Sequence, residues 1–143
     1  MVLAQVTVDD VVATLLYGLV GGGMLVAGFV VLDLVTPGSF VHHIRVHRSR
    51  NAAALAVANL VAVGLILAVA GLTSGDTVGD GLLSLLVYGG LGIAIQALLL
   101  VAIERGLRED LHDLLRAQTL EPLAVTLAAG SVMIGVVMAV AVS

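Results

Sequence analysis

Four runs of the chain, residues 11–32, 52–72, 81–103 and 122–142, are long and apolar, and none carries an ionised side chain. A helix needs about 20 apolar residues to cross a bilayer. The runs are apolar all round, without the alternation of a strand. In hydrocarbon only helices and closed barrels satisfy their own backbone, so this pattern selects helices. Composition agrees: 60% of the 143 residues are hydrophobic and 11% are charged, where soluble domains carry about 25% charge. The mean hydropathy is +1.18. A soluble domain of this length has too little interior to hide so much apolar surface. The expected fold class is an all-α integral membrane protein with four transmembrane helices.

The charges give an orientation. Arg45, Arg48 and Arg50 lie between the first two spans, and Arg105, Arg108 and Arg116 between the last two. The start of the chain and the turn at 73–80 carry acids only, namely Asp9, Asp10, Asp76 and Asp80. The positive-inside rule places both arginine-bearing loops in the cytoplasm and both termini outside, in a multi-pass protein of the cell (plasma or inner) membrane. The opening residues lack the basic region of a secretory signal, so the first span is expected to be retained. The net charge of −4 offers no nucleic-acid footprint. The absence of cysteine removes disulfides, thiolate metal sites and cysteine nucleophiles.

The octets VGLILAVA at 63–70 and IGVVMAVA at 134–141 suggest an internal repeat. A shift of 71 positions carries Asp9 onto Asp80, Tyr17 onto Tyr88, Gly18 onto Gly89 and Gly21 onto Gly92. It also carries Asp33 onto Glu104, Arg45 onto Arg116 and Gly64 onto Gly135. Two tandem helical hairpins, 1–72 and 73–143, are expected to form one membrane domain in a parallel repeat. The stretch SFVHHIRVHRSRNAAALAVANL contains no breaker and reads as one helix entering the second span. IERGLREDLHDLL spaces Leu107, Leu111, Leu114 and Leu115 helically, so the third span is expected to run on past the membrane.

Small residues in lipid let helices approach closely. Gly18, Gly21, Gly22, Gly64, Gly89, Gly92 and Gly135 are therefore helix-packing candidates, within the chain or at an oligomer seam. Tyr17 and Tyr88 sit about two turns into their spans, as interface anchors or as a functional pair. Asn59 and Gln96 lie inside spans and are expected to bond across helices. Asp33 and Glu104 end the first and third spans, as boundary markers paired with Arg45 or Arg116, or as functional carboxylates. His43 and His47 stand four apart and could share a metal if Asp113 or Glu109 supplied a third ligand, but nothing like H-E-x-x-H is present. HHIRVHRSR also reads as a basic segment against lipid heads that gains charge as pH falls. No phosphate-binding or nucleophile motif is present, and neither enzyme activity nor a cofactor is expected.

The carboxylate Asp33, then Thr36-Pro37, then Asn51-Ala52-Ala53-Ala54 opening the second span, resembles the domain of unknown function 350 family. These are small four-span bacterial and archaeal membrane proteins built from two tandem hairpins. The second copy departs from the pattern, with Glu121-Pro122 where the first has Asn51-Ala52. The resemblance implies an accessory membrane component, encoded near spermidine-synthase-like and envelope-stress proteins, and it assigns no active residue.

Two readings follow. The first is a non-enzymatic, oligomeric accessory protein that presents cytoplasmic helical extensions to a protein partner or to lipid heads. In it the six arginines, Arg45, Arg48, Arg50, Arg105, Arg108 and Arg116, make the contact. The alternative is a small oligomeric channel or transporter lined by Tyr17, Tyr88, Asn59, Gln96, Asp33 and Glu104. The lipid bilayer is a partner in both.

Overall fold

The structure, a computed structural model, describes residues 6–73 and 75–143, with the backbone alone at Glu109. Six helices follow one another: α1 (Val8–Val35), α2 (Phe40–Arg45), α3 (Arg50–Leu72), α4 (Val78–Gly106), α5 (Arg108–Arg116) and α6 (Pro122–Val142). No strand occurs among the described residues. α1, α3, α4 and α6 are long and apolar enough to cross a membrane. The all-α membrane fold with four spans is what the apolar runs require. The opening segment read for a signal lies largely outside the described residues.

α1 and α4 each start on a threonine cap. The Thr7 hydroxyl accepts from the Asp10 backbone N–H, and the Asp10 carboxylate accepts from the Thr7 backbone N–H at 2.9 Å. Thr77 caps α4 through the Asp80 N–H in the same way. These caps satisfy donors that a helix start would leave unpaired. They equate Asp10, rather than Asp9, with Asp80. The shift of 71 is therefore one residue out at this end, because cap chemistry fixes the register there.

α3 is the central helix. Half of its most apolar window is buried, against 28% for α4 and 11% for α1 and α6. Its most extensive contact is with α6, and α1 packs mainly on α4. Gly28 and Gly89 of α1 and α4 face Ile93 and Met24 respectively, so the two helices run in the same direction. α3 and α6 also run together, from Asn51 beside Glu121 to Ala62 beside Gly135. At the last contact a Cβ on Gly135 would lie 2.5 Å from Ala62 Cα. Only glycine permits that approach, and close van der Waals packing is what holds helices together in lipid.

Two expectations are corrected. The segment from Ser39 is not one helix: α2 ends at Arg45, the Ser49 N–H turns back to the His43 carbonyl at 3.1 Å, and Arg48 takes φ 49. Ser49 then caps α3 through the Ala52 N–H at 3.1 Å. A left-handed residue followed by a serine cap stops one helix and starts another. The third span likewise ends at Gly106, and α5 begins after Leu107. The helical spacing of its leucines is correct, since Leu111, Leu114 and Leu115 are all buried.

Candidate functional site

The polar residues gather where α2, α5 and the starts of α3 and α6 meet. Asn51, in the first turn of α3, is fully buried. Its amide nitrogen donates to the carbonyls of Leu114 and Thr119, each at 2.9 Å, and its carbonyl accepts the Glu121 N–H at 2.8 Å. One side chain thus ties the end of α5 and the entry to α6 onto α3. These backbone groups have no helical partner of their own, and the amide offers donors and an acceptor together.

Asp33 is a cap. Its carboxylate accepts from the Ser39 hydroxyl at 2.8 Å and from the Val41 N–H at 3.0 Å, which fixes the start of α2. The expected pairing with Arg45 is replaced by these bonds, because the turn at 36–39 brings unpaired donors closer. Glu104 differs: it is half-buried and lines a small cavity with Val101, Arg105 and Arg108. The side chain of Glu109 lies outside the described residues.

His43 is buried beneath the turn made by Pro37 and Gly38. Its Nε2 lies 2.9 Å from the Pro37 carbonyl, which can only accept, so the proton sits on Nε2. Nδ1 is then a buried acceptor with no partner among the described residues. The rings of His42 and His47 lie 6.0 and 5.4 Å from that of His43, centroid to centroid. Among the described residues no group of three histidines or carboxylates is placed to hold a metal. Burial holds the His43 imidazole below the ordinary histidine range. His47, His42 and His112 push the same way, and the Pro37 bond opposes them.

Within the spans the polar groups are spent on packing. Gln96 donates across to the Ser131 carbonyl of α6 at 3.2 Å. Asn59 instead bonds within its own helix, to the Leu55 carbonyl at 2.8 Å. Tyr17 lines an apolar groove of about 440 Å³ with Gly21, Leu25, Gly64 and Leu67, while Tyr88 is exposed on α4. The glycines divide. Gly89, Gly92 and Gly135 face packed neighbours, whereas Gly18, Gly21 and Gly22 have nothing within 4 Å of where a Cβ would stand. Gly64 meets only Leu25, at 3.8 Å.

All six arginines are exposed. Arg45, Arg48 and Arg50 line one pocket beside the start of α3, and Arg116 stands on α5. Ser39, Ser49 and the Pro37 carbonyl belong to this region, although the sequence does not single them out as site residues. A signal for the first two is present, a serine standing just before each helix start.

The family described as Domain of Unknown Function (DUF350) matches residues 5–142. A UPF0719 transmembrane protein of Mycolicibacterium paratuberculosis is 32% identical over 132 residues, covering 92% of this chain and 87% of that protein. UPF0719 transmembrane proteins of Mycobacterium bovis and Mycobacterium tuberculosis are each 35% identical over 112 residues, covering 78% of this chain and 74% of theirs. No solved structure matches the chain significantly.

Proposed function

The chain belongs to the DUF350 family, and from that premise we propose that it is a non-enzymatic membrane scaffold. It works as a homo-oligomer and presents the α2–α5 end of its bundle, on the cytoplasmic side, to a protein partner. The observation that carries this reading is the way α5 is held. Leu111, Leu114 and Leu115 are buried, so Arg108, Asp110, Asp113 and Arg116 are turned outward. The Asn51 bonds to Leu114 and Thr119 then fix the helix end. A charged face on a rigid support is suited to docking, since little ordering entropy remains to be lost on binding. The arginine distribution supports the cytoplasmic placement. Open glycines on α1 support assembly with other copies, and the two parallel contacts, α1 on α4 and α3 on α6, support a duplicated hairpin.

The test is a photo-crosslinking side chain at Asp113 in cells. A specific cross-linked protein is expected, lost when Asp110→Arg and Arg116→Glu reverse the charges that flank the probe. The same probe at Asp76, at the other end of the bundle, should capture nothing. Equal capture from both ends would refute the reading. Deleting the whole loop is a poor test, because it also removes the buried leucines and the Asn51 bonds.

A further inference from the structure

Arg45, Arg48 and Arg50 line a pocket of about 390 Å³ together with Ile44, Ser49 and Ala53. None of the three forms an ion pair among the described residues. Asp33, the acid at the end of α1, is committed to Ser39 and Val41. Three unneutralised guanidinium groups around one pocket attract an anion, and guanidinium pairs bidentately with phosphate oxygens. The positive end of the α3 dipole lies at the same place.

A second cavity, of about 550 Å³, begins at the same residue, Ala53. It lies between α3 and α6 and is almost wholly apolar, lined by Ala53, Ala54, Val57, Val61, Val125 and Val132 among others. From Ala53 to Val61 it follows α3 for about 12 Å. A basic pocket and an apolar groove therefore share Ala53 as a wall at the point where a membrane span begins. That depth is where lipid headgroups meet acyl chains.

We propose that this paired site binds one anionic phospholipid, with its phosphate among Arg45, Arg48 and Arg50 and an acyl chain along the α3–α6 groove. The inference rests on the four spans, not on the protein-partner reading. Arg48 itself points to a binding role. Its φ of 49 is the left-handed conformation that favours glycine. An arginine standing there, where glycine would fit the backbone better, points to a use for the guanidinium.

The full-length protein in neutral detergent would be examined by native mass spectrometry, with phosphatidylglycerol or phosphatidylcholine of identical chains added. Preferential retention of phosphatidylglycerol is expected. Each arginine lost should weaken it by about fivefold. Arg48→Gly is the decisive variant, since glycine suits the backbone there and thermal stability should be kept while retention falls. Arg45→Gln should also weaken retention. Val57→Trp, which fills the groove, should reduce it with the arginines intact. Equal retention of the two lipids, or unchanged retention in Arg48→Gly, overturns the proposal. Displacement of the lipid by millimolar inorganic phosphate also overturns it, in favour of a soluble-anion site.

Discussion

Asn51 and Glu121 stand just before the apolar runs of α3 and α6, and they are bonded to each other. The Asn51 carbonyl accepts the Glu121 backbone N–H at 2.8 Å. The sequence has asparagine at only one of these two places. The contact explains why one suffices: a single amide already satisfies backbone groups on both sides.

Replacing Asn51 should therefore be costly. Asn51→Leu leaves the Leu114 carbonyl, and in part the Thr119 carbonyl and the Glu121 N–H, without partners. Stranded buried groups cost about 1–3 kcal/mol each, so a loss of roughly 3 kcal/mol is expected. Asn51→Asp keeps an acceptor for Glu121 but points carboxylate oxygens at two carbonyls, and it should also destabilise. Thermal unfolding in detergent is the measurement. A shift within error of wild type would show that the bonds carry no weight.

Gly64 and Gly135 stand 71 residues apart yet should respond in opposite ways to alanine. A Cβ on Gly135 would meet the Ala62 backbone, with its carbonyl oxygen at 2.9 Å, and backbone cannot step aside as a side-chain tip can. Forcing α3 and α6 apart should cost about 1–3 kcal/mol. Gly64→Ala meets only Leu25, at ordinary contact distance, and should be neutral or mildly stabilising. Paired melting curves separate the two. Equal losses would mean that the α3–α6 crossing is not as close as described.

His43 predicts a pH dependence. Its folded pKa is depressed, chiefly by burial, with His47, His42 and His112 acting in the same sense. The unfolded chain takes up the proton near the ordinary value of about 6.5, where the folded protein still resists it. Stability should thus be complete above that value and fall as pH drops through it, levelling off only below the folded pKa. His43→Leu should flatten this acid limb in melts between pH 8 and 5. Gly38→Ala should lower stability at every pH, because Gly38 sits at φ 79 and a Cβ there would lie 2.9 Å from His43 Nε2.

The spans were legible because lipid imposes one rule, an unbroken apolar run, which residues 52–72 and 122–142 display openly. The caps were partly legible, since Thr77 and Asp80 follow a known spacing, although a gap-free shift paired Asp80 with the wrong aspartate. The break at Arg48 was hidden, because no glycine or proline marks it and the left-handed conformation falls on an arginine. Burial of His43 was hidden too: it depends on the Pro37–Gly38 turn folding over the ring, a contact that spacing along α2 cannot reveal. The role of Asn51 was flagged only by resemblance. Its partners lie 63 to 70 residues away, beyond the reach of local pattern.

The open glycines of α1 provide the test of assembly. Gly18 and Gly22 have nothing within 4 Å of where a Cβ would stand, so a larger residue has room within one copy. Replacing glycine inside a helix also removes a propensity penalty of about 1 kcal/mol. Gly18→Leu and Gly22→Leu should accordingly keep or raise the thermal stability of the single chain. If copies meet through this face, the same changes hold the helices apart, since close approach in membranes depends on small residues. The mass of the particle in nanodiscs should then fall from oligomer to monomer. Gly92→Leu is the control: a Cβ there would lie 2.7 Å from Ile66 Cδ1, so it should disturb the bundle itself. An oligomer that survives both α1 substitutions uses another face, and the α1 seam is then wrong.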